Sequence, residues 1–274
     1  MEREAESRGV PTALTLAPIG ASASLRDQAY ASLKRAIAET DIYRSREAVR
    51  LDEKELAEAL GVSRTPVREA MTLLEQEGFL RTVPRRGVYI LRKTKREIVE
   101  MITVMAALES MAARLAAERA TEAEIADLRR LMDAFRAPHE QAGGERLAEY
   151  SDANIAFHQA IIRMSSCTLL AEMTENPFIH MRAIRKITIH QDNRAARSVV
   201  DHMRIIEALE RRDPELAERL AREHTLGLAA HVEQHGDFLD PDPLVSSPAG
   251  LTRGSRGAPE MAGSRPAMTK NGSE

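Results

Sequence analysis

The chain has 274 residues, a net charge of −3, one cysteine and no tryptophan. That length allows two domains with a core in each. The single Cys167 excludes an internal disulfide and a cysteine-based zinc knuckle, so a reducing, cytoplasmic setting is expected. No apolar run approaches the ~20 residues that span a bilayer, and the first residues lack a basic stretch followed by an apolar one, so neither a membrane span nor a secretory signal is expected. The charge is uneven. Residues 22–96 hold 16 Lys and Arg against 11 Asp and Glu, while the remainder holds 23 against 31. A basic front joined to an acidic body suits a nucleic-acid reader attached to a second module.

In chain order, residues 1–22 are rich in Ala, Ser, Gly and Pro and are expected to be a disordered arm. Leu25–Glu39 places Leu25, Ala29, Leu33 and Ile37 on one helical face. A second helix is predicted over Asp52–Leu60, a third over Ser63–Glu77, and two short strands over Leu80–Val83 and Val88–Ile90. Capping boxes at Thr94/Glu97 and Thr121/Glu124 mark two further helix starts, and Asp213 followed by Pro214 marks another. Helices are also predicted over 145–164, 167–190 and 195–211, with the last ending near 234. From Gly236 onward no apolar period survives, and the tail is expected to be disordered. The expected organisation is thus an arm at 1–22, a winged helix-turn-helix at 23–92, a helical bundle at 93–234 and a tail at 235–274. The fold class is mainly α.

Within the front domain, Leu51, Leu56 and Leu60 are read as the inward face of the first helix of the motif, Gly61 as its sharp exit and Val62 as the plug between helices. Ser63 is the expected N-cap, and Val67, Met71 and Leu74 carry the core onward. Arg64, Thr65 and Arg68 are left on the outer first turn, the part of a helix-turn-helix that enters the major groove. Arginine can bond bidentately to guanine, while hydroxyls and a helix N-terminus suit phosphate. Arg85, Arg86 and Gly87 form a small basic tip between the strands. The stretch ELAEALGVSRTPVREAMTLLEQEGFL, followed by RRG, closely resembles the N-terminal domain of the GntR family of bacterial transcription regulators over about residues 24–91. The resemblance implies double-stranded DNA contacts at Lys54, Ser63, Arg64, Thr65 and Arg68, with Arg86 and Gly87 in the wing and Arg50 on a phosphate. It departs from the family at Arg46-Glu47-Ala48-Val49, where a Pro-Gly pair is frequent.

Among the eight histidines, Asn154 and His158 lie one helical turn apart, and His202 and His224 belong to two further helices. Three imidazoles converging in a bundle core would suit a late first-row divalent ion such as zinc or nickel, although scattered histidines on amphipathic helices are commonly ordinary. The segments NIAFHQAI and DHMRIIEALERRDPELAERLAREH resemble the FCD effector-binding domain of the FadR-type GntR subfamily over about 97–233. That resemblance implies a metal held by Asn154, His158, His202 and His224 beside a small carboxylate effector. Asn154 stands where Asp is frequent, and Met105 stands where many relatives carry an Arg four residues before Glu109. Arg163, Arg182 and Arg185 are the candidates to replace that cation.

The resulting expectation is a homodimeric repressor of a pseudo-palindromic operator, controlled by an organic acid. A purely structural metal is the alternative. A three-histidine zinc enzyme is the remote alternative, because there is no HExxH and no carboxylate sits at helical spacing beside His158 to activate water. Asp201 adjoins His202 but projects about 100° away around the helix.

Overall fold

The computed structural model describes residues 24–40, 42–43, 48–135 and 144–239. The expected arm, the tail from 240 onward, and Arg46 and Glu47 before the motif lie outside these residues.

The front domain begins with α1 (Leu25–Glu39), capped by the Ser24 hydroxyl accepting from Asp27 N. Ala29, Leu33 and Ile37 are buried toward α3, whereas Leu25, in the helix's first turn, is 55% exposed. α2 (Glu53–Leu60) starts at Asp52, whose carboxylate accepts from Lys54 N and Glu55 N, and it ends at Gly61 with φ 66°. That left-handed exit costs a glycine little and turns the chain sharply into α3 (Arg64–Gln76). Leu51 proves not to belong to α2. It lies in a two-residue strand, β1 (Arg50–Leu51), and the fully buried residue of α2 is Ala57, with Leu56 and Leu60 half-buried. β1 escaped the sequence reading because two residues carry no alternation, and their pairing partner lies far along the chain.

β2 (Leu80–Val83) and β3 (Gly87–Ile90) form the wing hairpin, with register Leu80↔Ile90 and Val83↔Gly87. β1 adds antiparallel to the other edge of β3, pairing Arg50 with Tyr89, so the sheet order is β1-β3-β2.

Helices α4 (Lys95–Arg119), α5 (Glu122–Asp133), α6 (Gly144–Met164), α7 (Thr168–Thr188), α8 (Arg194–Glu210) and α9 (Pro214–His235) form the second domain. Both predicted capping boxes are present, at Thr94/Glu97 and Thr121/Glu124, and Asp213 caps α9 with Pro214 in its first turn. The most extensive helix pair is α4 with α9. Ala106, Ala113, Ala117, Ala217 and Ala221 are all buried there and allow close approach. Regular structure continues past the expected end at 234. A 3-10 turn, Gly236–Leu239, buries Leu239 and places Asp237 Oδ1 3.3 Å from Lys95 Nζ.

The two domains meet at α1, the segment after it, and α7. Tyr43 Oη lies 2.9 Å from His180 Nδ1 and accepts from Lys93 N at 3.2 Å. Phe79 stacks on the His180 ring, and Lys34 sits between Glu77 and Glu175 at 3.4 and 3.1 Å.

Candidate nucleic-acid interface and metal centre

Every residue singled out for DNA in the sequence lies on the head's outer surface or wing. Ser63, Arg64, Thr65 and Arg68 are exposed along the first turn of α3. Ser63 occupies the N-cap position, but its hydroxyl makes no capping bond. Arg64 Nε donates to Glu53 Oε1 at 2.9 Å, while Arg68 donates to both Glu53 oxygens at 2.7 and 3.0 Å. One carboxylate from α2 therefore fixes both arginines, and they in turn hold its pKa down against a small burial effect. Lys54 is exposed and sits 3.7 Å from Glu58.

At the wing, Arg85 adopts φ 64° and Gly87 φ 120°. A Cβ on Gly87 would come 2.7 Å from Arg50 Nε, so this glycine is what lets the Arg50 side chain lie across the wing base. Arg86 is exposed at the tip. A helix and a basic ribbon presented on one small domain have the dimensions to follow a DNA groove and its phosphates.

In the bundle, His158, His202 and His224 come from α6, α8 and α9 and are all buried. Each offers a ring nitrogen, and these atoms all lie within 4.8 Å of one another. The outer nitrogens are accounted for. His224 Nδ1 faces Asp201 Oδ2 at 3.3 Å, His202 Nδ1 faces Tyr150 Oη at 3.5 Å, and His158 Nδ1 faces Glu109 Oε2 at 3.3 Å. With the proton on Nδ1 of His202 and His224, their Nε2 atoms present lone pairs, while His158 Nδ1 lies between the Glu109 acceptor and the Arg185 donor. Nε2 of His202 and His224 are 3.1 Å apart, and His158 Nε2 is buried with no hydrogen-bond partner. Two nitrogens about 2.0–2.1 Å from a shared tetrahedral ion lie roughly 3.4 Å apart, so the donor set fits one ion. Phe157 stacks on His202 with ring centroids 3.9 Å apart and fixes that ring's plane.

Electrostatics keep these rings neutral. Burial, then the Arg185 charge, pushes His158 down to about 3. Burial and the neighbouring imidazoles hold His202 well below the usual range, and burial lowers His224 against the opposing pull of Asp201. A neutral imidazole is the form that binds metal.

Of the three candidate arginines, Arg185 alone reaches this cluster. It is buried, and its Nη2 donates to both Glu109 oxygens at 2.8 and 2.9 Å, with His158 Nδ1 at 3.2 Å. Thr225 Oγ1 also donates to Glu109, at 2.6 Å. Burial alone would raise the Glu109 carboxyl, but Arg185 and His158 together hold it well below the ordinary range. Arg163 and Arg182 instead line a separate groove of about 290 Å³ with Phe178, bordered by Ala38 of α1. Arg182 and Arg185 are one turn apart on α7, and only the latter faces inward.

Besides Tyr150, three side chains at the centre have no local signal in the sequence. Glu109 does reach His158, from α4 rather than from its own helix. Asp201 does project away from His202, and that direction brings it to His224. Arg194, pushed down to about 10 by burial and then by Arg185, borders a narrow cleft with Asn154, Arg185, Ser198 and His224. None of this makes a hydrolytic site. The oxygens of Glu109 are taken by Arg185, Thr225 and His158, and its depressed pKa makes it a poor base.

A winged helix-turn-helix head on a helical bundle with a buried polar centre defines a DNA-binding transcription regulator. Residues 25–90 match the bacterial regulatory proteins of the gntR family, and residues 100–227 match the FCD domain. The chain belongs to the GntR family. It is 32% identical over 189 residues to the uncharacterized HTH-type transcriptional regulator YdhC of Bacillus subtilis, covering 68% of this chain and 80% of that protein. It is 27% identical to the transcriptional repressor RspR of Escherichia coli, covering 67% and 79%. The solved structure of Escherichia coli McbR/YncC superposes with a TM-score of 0.60 at 28% identity, covering 77% of this chain and 98% of that one. These relatives are transcription regulators, and the chain is a regulator rather than an enzyme. The FCD match agrees with a histidine cluster able to hold an ion.

Proposed function

We propose that the protein is a homodimeric repressor whose grip on a pseudo-palindromic operator is set by a small carboxylate bound beside a divalent ion, zinc or nickel. The observation that carries the reading is the way the three rings are turned. Three buried imidazoles have their Nδ1 atoms turned to Glu109, Tyr150 and Asp201, and their Nε2 atoms turned to one another. Asn154, one turn before His158 and buried beside the same cleft, completes the proposed set of His158, His202, His224 and Asn154. When bound, the ion supplies positive charge that attracts an anion, and neutral donors leave that charge undiminished.

The surrounding residues define the anion's side of the site. Arg185 Nη1 is buried without a hydrogen-bond partner, a donor that a carboxylate oxygen would satisfy. An incoming carboxylate also competes with Glu109 for Arg185. Because α7 carries both Arg185 and His180, re-pairing at the site acts on the helix that holds the head through Tyr43. Arg64 and Arg68 read bases, Ser63, Thr65, Lys54 and Arg50 hold phosphates, and Arg86 with Gly87 follows the minor groove. Val104 and Met111, exposed seven residues apart on α4, and Leu226 on α9 support pairing with a second copy. The repressor name of RspR supports the direction of control.

Operator affinity of the full chain, measured with and without zinc or nickel and across small mono-, di- and hydroxycarboxylates, tests the proposal. A shift of about 5–150-fold by at least one acid is expected. Affinity unchanged by every acid, with chelation lowering only thermal stability, would favour a structural ion instead.

A further inference from the structure

A second group of side chains with potential metal ligands lies outside the three-histidine centre. Asp192, in the turn between α7 and α8, meets His231 and His235 of α9, and one ligand atom from each lies within 4.8 Å of the others. The two histidines are one helical turn apart, so both project from one face, with ring centroids 4.7 Å apart. Asp192 and Asn193 adopt φ 44° and 52°, a left-handed pair that bends the chain sharply between the two helices. His231 is buried, whereas Asp192 and His235 are exposed.

His231 already has the outer-shell partner that a ligating histidine needs. Its Nε2 lies 2.9 Å from Gln191 Oε1, an acceptor, so Nε2 carries the proton and Nδ1 keeps its lone pair. The competing interaction of Asp192 is weak, with Arg197 at 3.4 and 3.5 Å and both side chains more than half exposed. His231 and His224, seven residues apart on α9, both line a cavity of about 350 Å³ between α8 and α9, together with Asp192, Arg194 and Asp201.

We propose that Asp192, His231 and His235 form an outer site for a divalent transition-metal ion, at the mouth of the cavity whose inner wall is His224. Two imidazoles and one carboxylate select zinc, nickel or copper over magnesium or calcium. Arg194 and Arg197 beside the cavity make this site weaker than one free of cations, and the exposed side remains open to water or an anion. This site does not depend on the three-histidine centre being loaded.

Zinc titration of the metal-free full chain by calorimetry, with dialysis and metal analysis, is the test. Two equivalents per chain are expected, and His235→Ala and Asp192→Asn should each weaken one of them by about tenfold or more. Both changed residues are exposed, so the fold is retained. His202→Ala should leave that outer equivalent in place. A wild-type chain that binds a single equivalent, insensitive to His235→Ala, overturns the proposal, as does a second equivalent unaffected by both exposed substitutions. A single equivalent lost in His235→Ala but kept in His202→Ala would support the outer site while removing the inner one.

Discussion

Tyr43 donates its phenolic hydrogen to His180 Nδ1 across 2.9 Å, joining the segment after α1 to the middle of α7. The direction follows from the surroundings. Tyr43 Oη accepts from Lys93 N, and burial holds the phenol protonated and the His180 ring neutral, the latter down at about 3. Tyr43→Phe would leave the buried His180 Nδ1 and the half-buried Lys93 N without this partner, at a cost of about 1–3 kcal/mol. Urea unfolding should show that loss, and the response of operator affinity to effector should shrink in the same variant.

The same contact predicts a pH dependence. In the unfolded chain His180 titrates near its ordinary 6.5, while in the fold burial, and then Lys93, hold it near 3. The unfolded state therefore takes up a proton that the fold refuses. Stability from this group is full above pH 6.5 and falls as pH drops toward 3, by about 2 kcal/mol at pH 5. The depressed His158 adds to the same slope in metal-free protein. His180→Gln, which keeps an acceptor for Tyr43 but does not titrate, should flatten the stability profile between pH 7 and 5. An unchanged slope would contradict the assignment.

Glu53 predicts a separation of specific from nonspecific binding. Arg64→Ala and Arg68→Ala should each cost about 1–3 kcal/mol on the operator, with a smaller loss on scrambled duplex. Glu53→Gln keeps both arginines but loosens the fork that positions them. Removing its negative charge should raise affinity for scrambled DNA while reducing discrimination. Fluorescence anisotropy with the two duplexes reads both effects.

Gly87 tests the wing. Alanine there meets Arg50 Nε at 2.7 Å and must adopt φ 120°, a strain of about 1–3 kcal/mol. Gly87→Ala should lower both the melting temperature and the DNA affinity. Gly61→Ala serves as the control, because its Cβ has open space and only its left-handed φ is strained.

What could be read from the sequence followed from local rules. Thr94, Thr121 and Asp213 were legible as helix starts because capping couples residues two or three apart. The α2–Gly61–α3 corner was legible for the same reason. The partners of the histidines were not, since Glu109, Tyr150 and Asp201 approach from other helices and share no spacing with the rings they face. The choice among Arg163, Arg182 and Arg185 needed the rotation of α7 against α4, which depends on tertiary packing. Arg194, at the start of α8, carried no signal beyond its charge.

If the buried centre controls the head, operator binding should separate His202→Ala from wild type. Anisotropy titrations would be run with zinc present, with and without the carboxylate that shifts the wild-type protein most. Equal basal affinity is expected for both proteins, with an effector shift of about 5–150-fold in wild type and none in His202→Ala. A variant that responds as strongly as wild type would contradict that control.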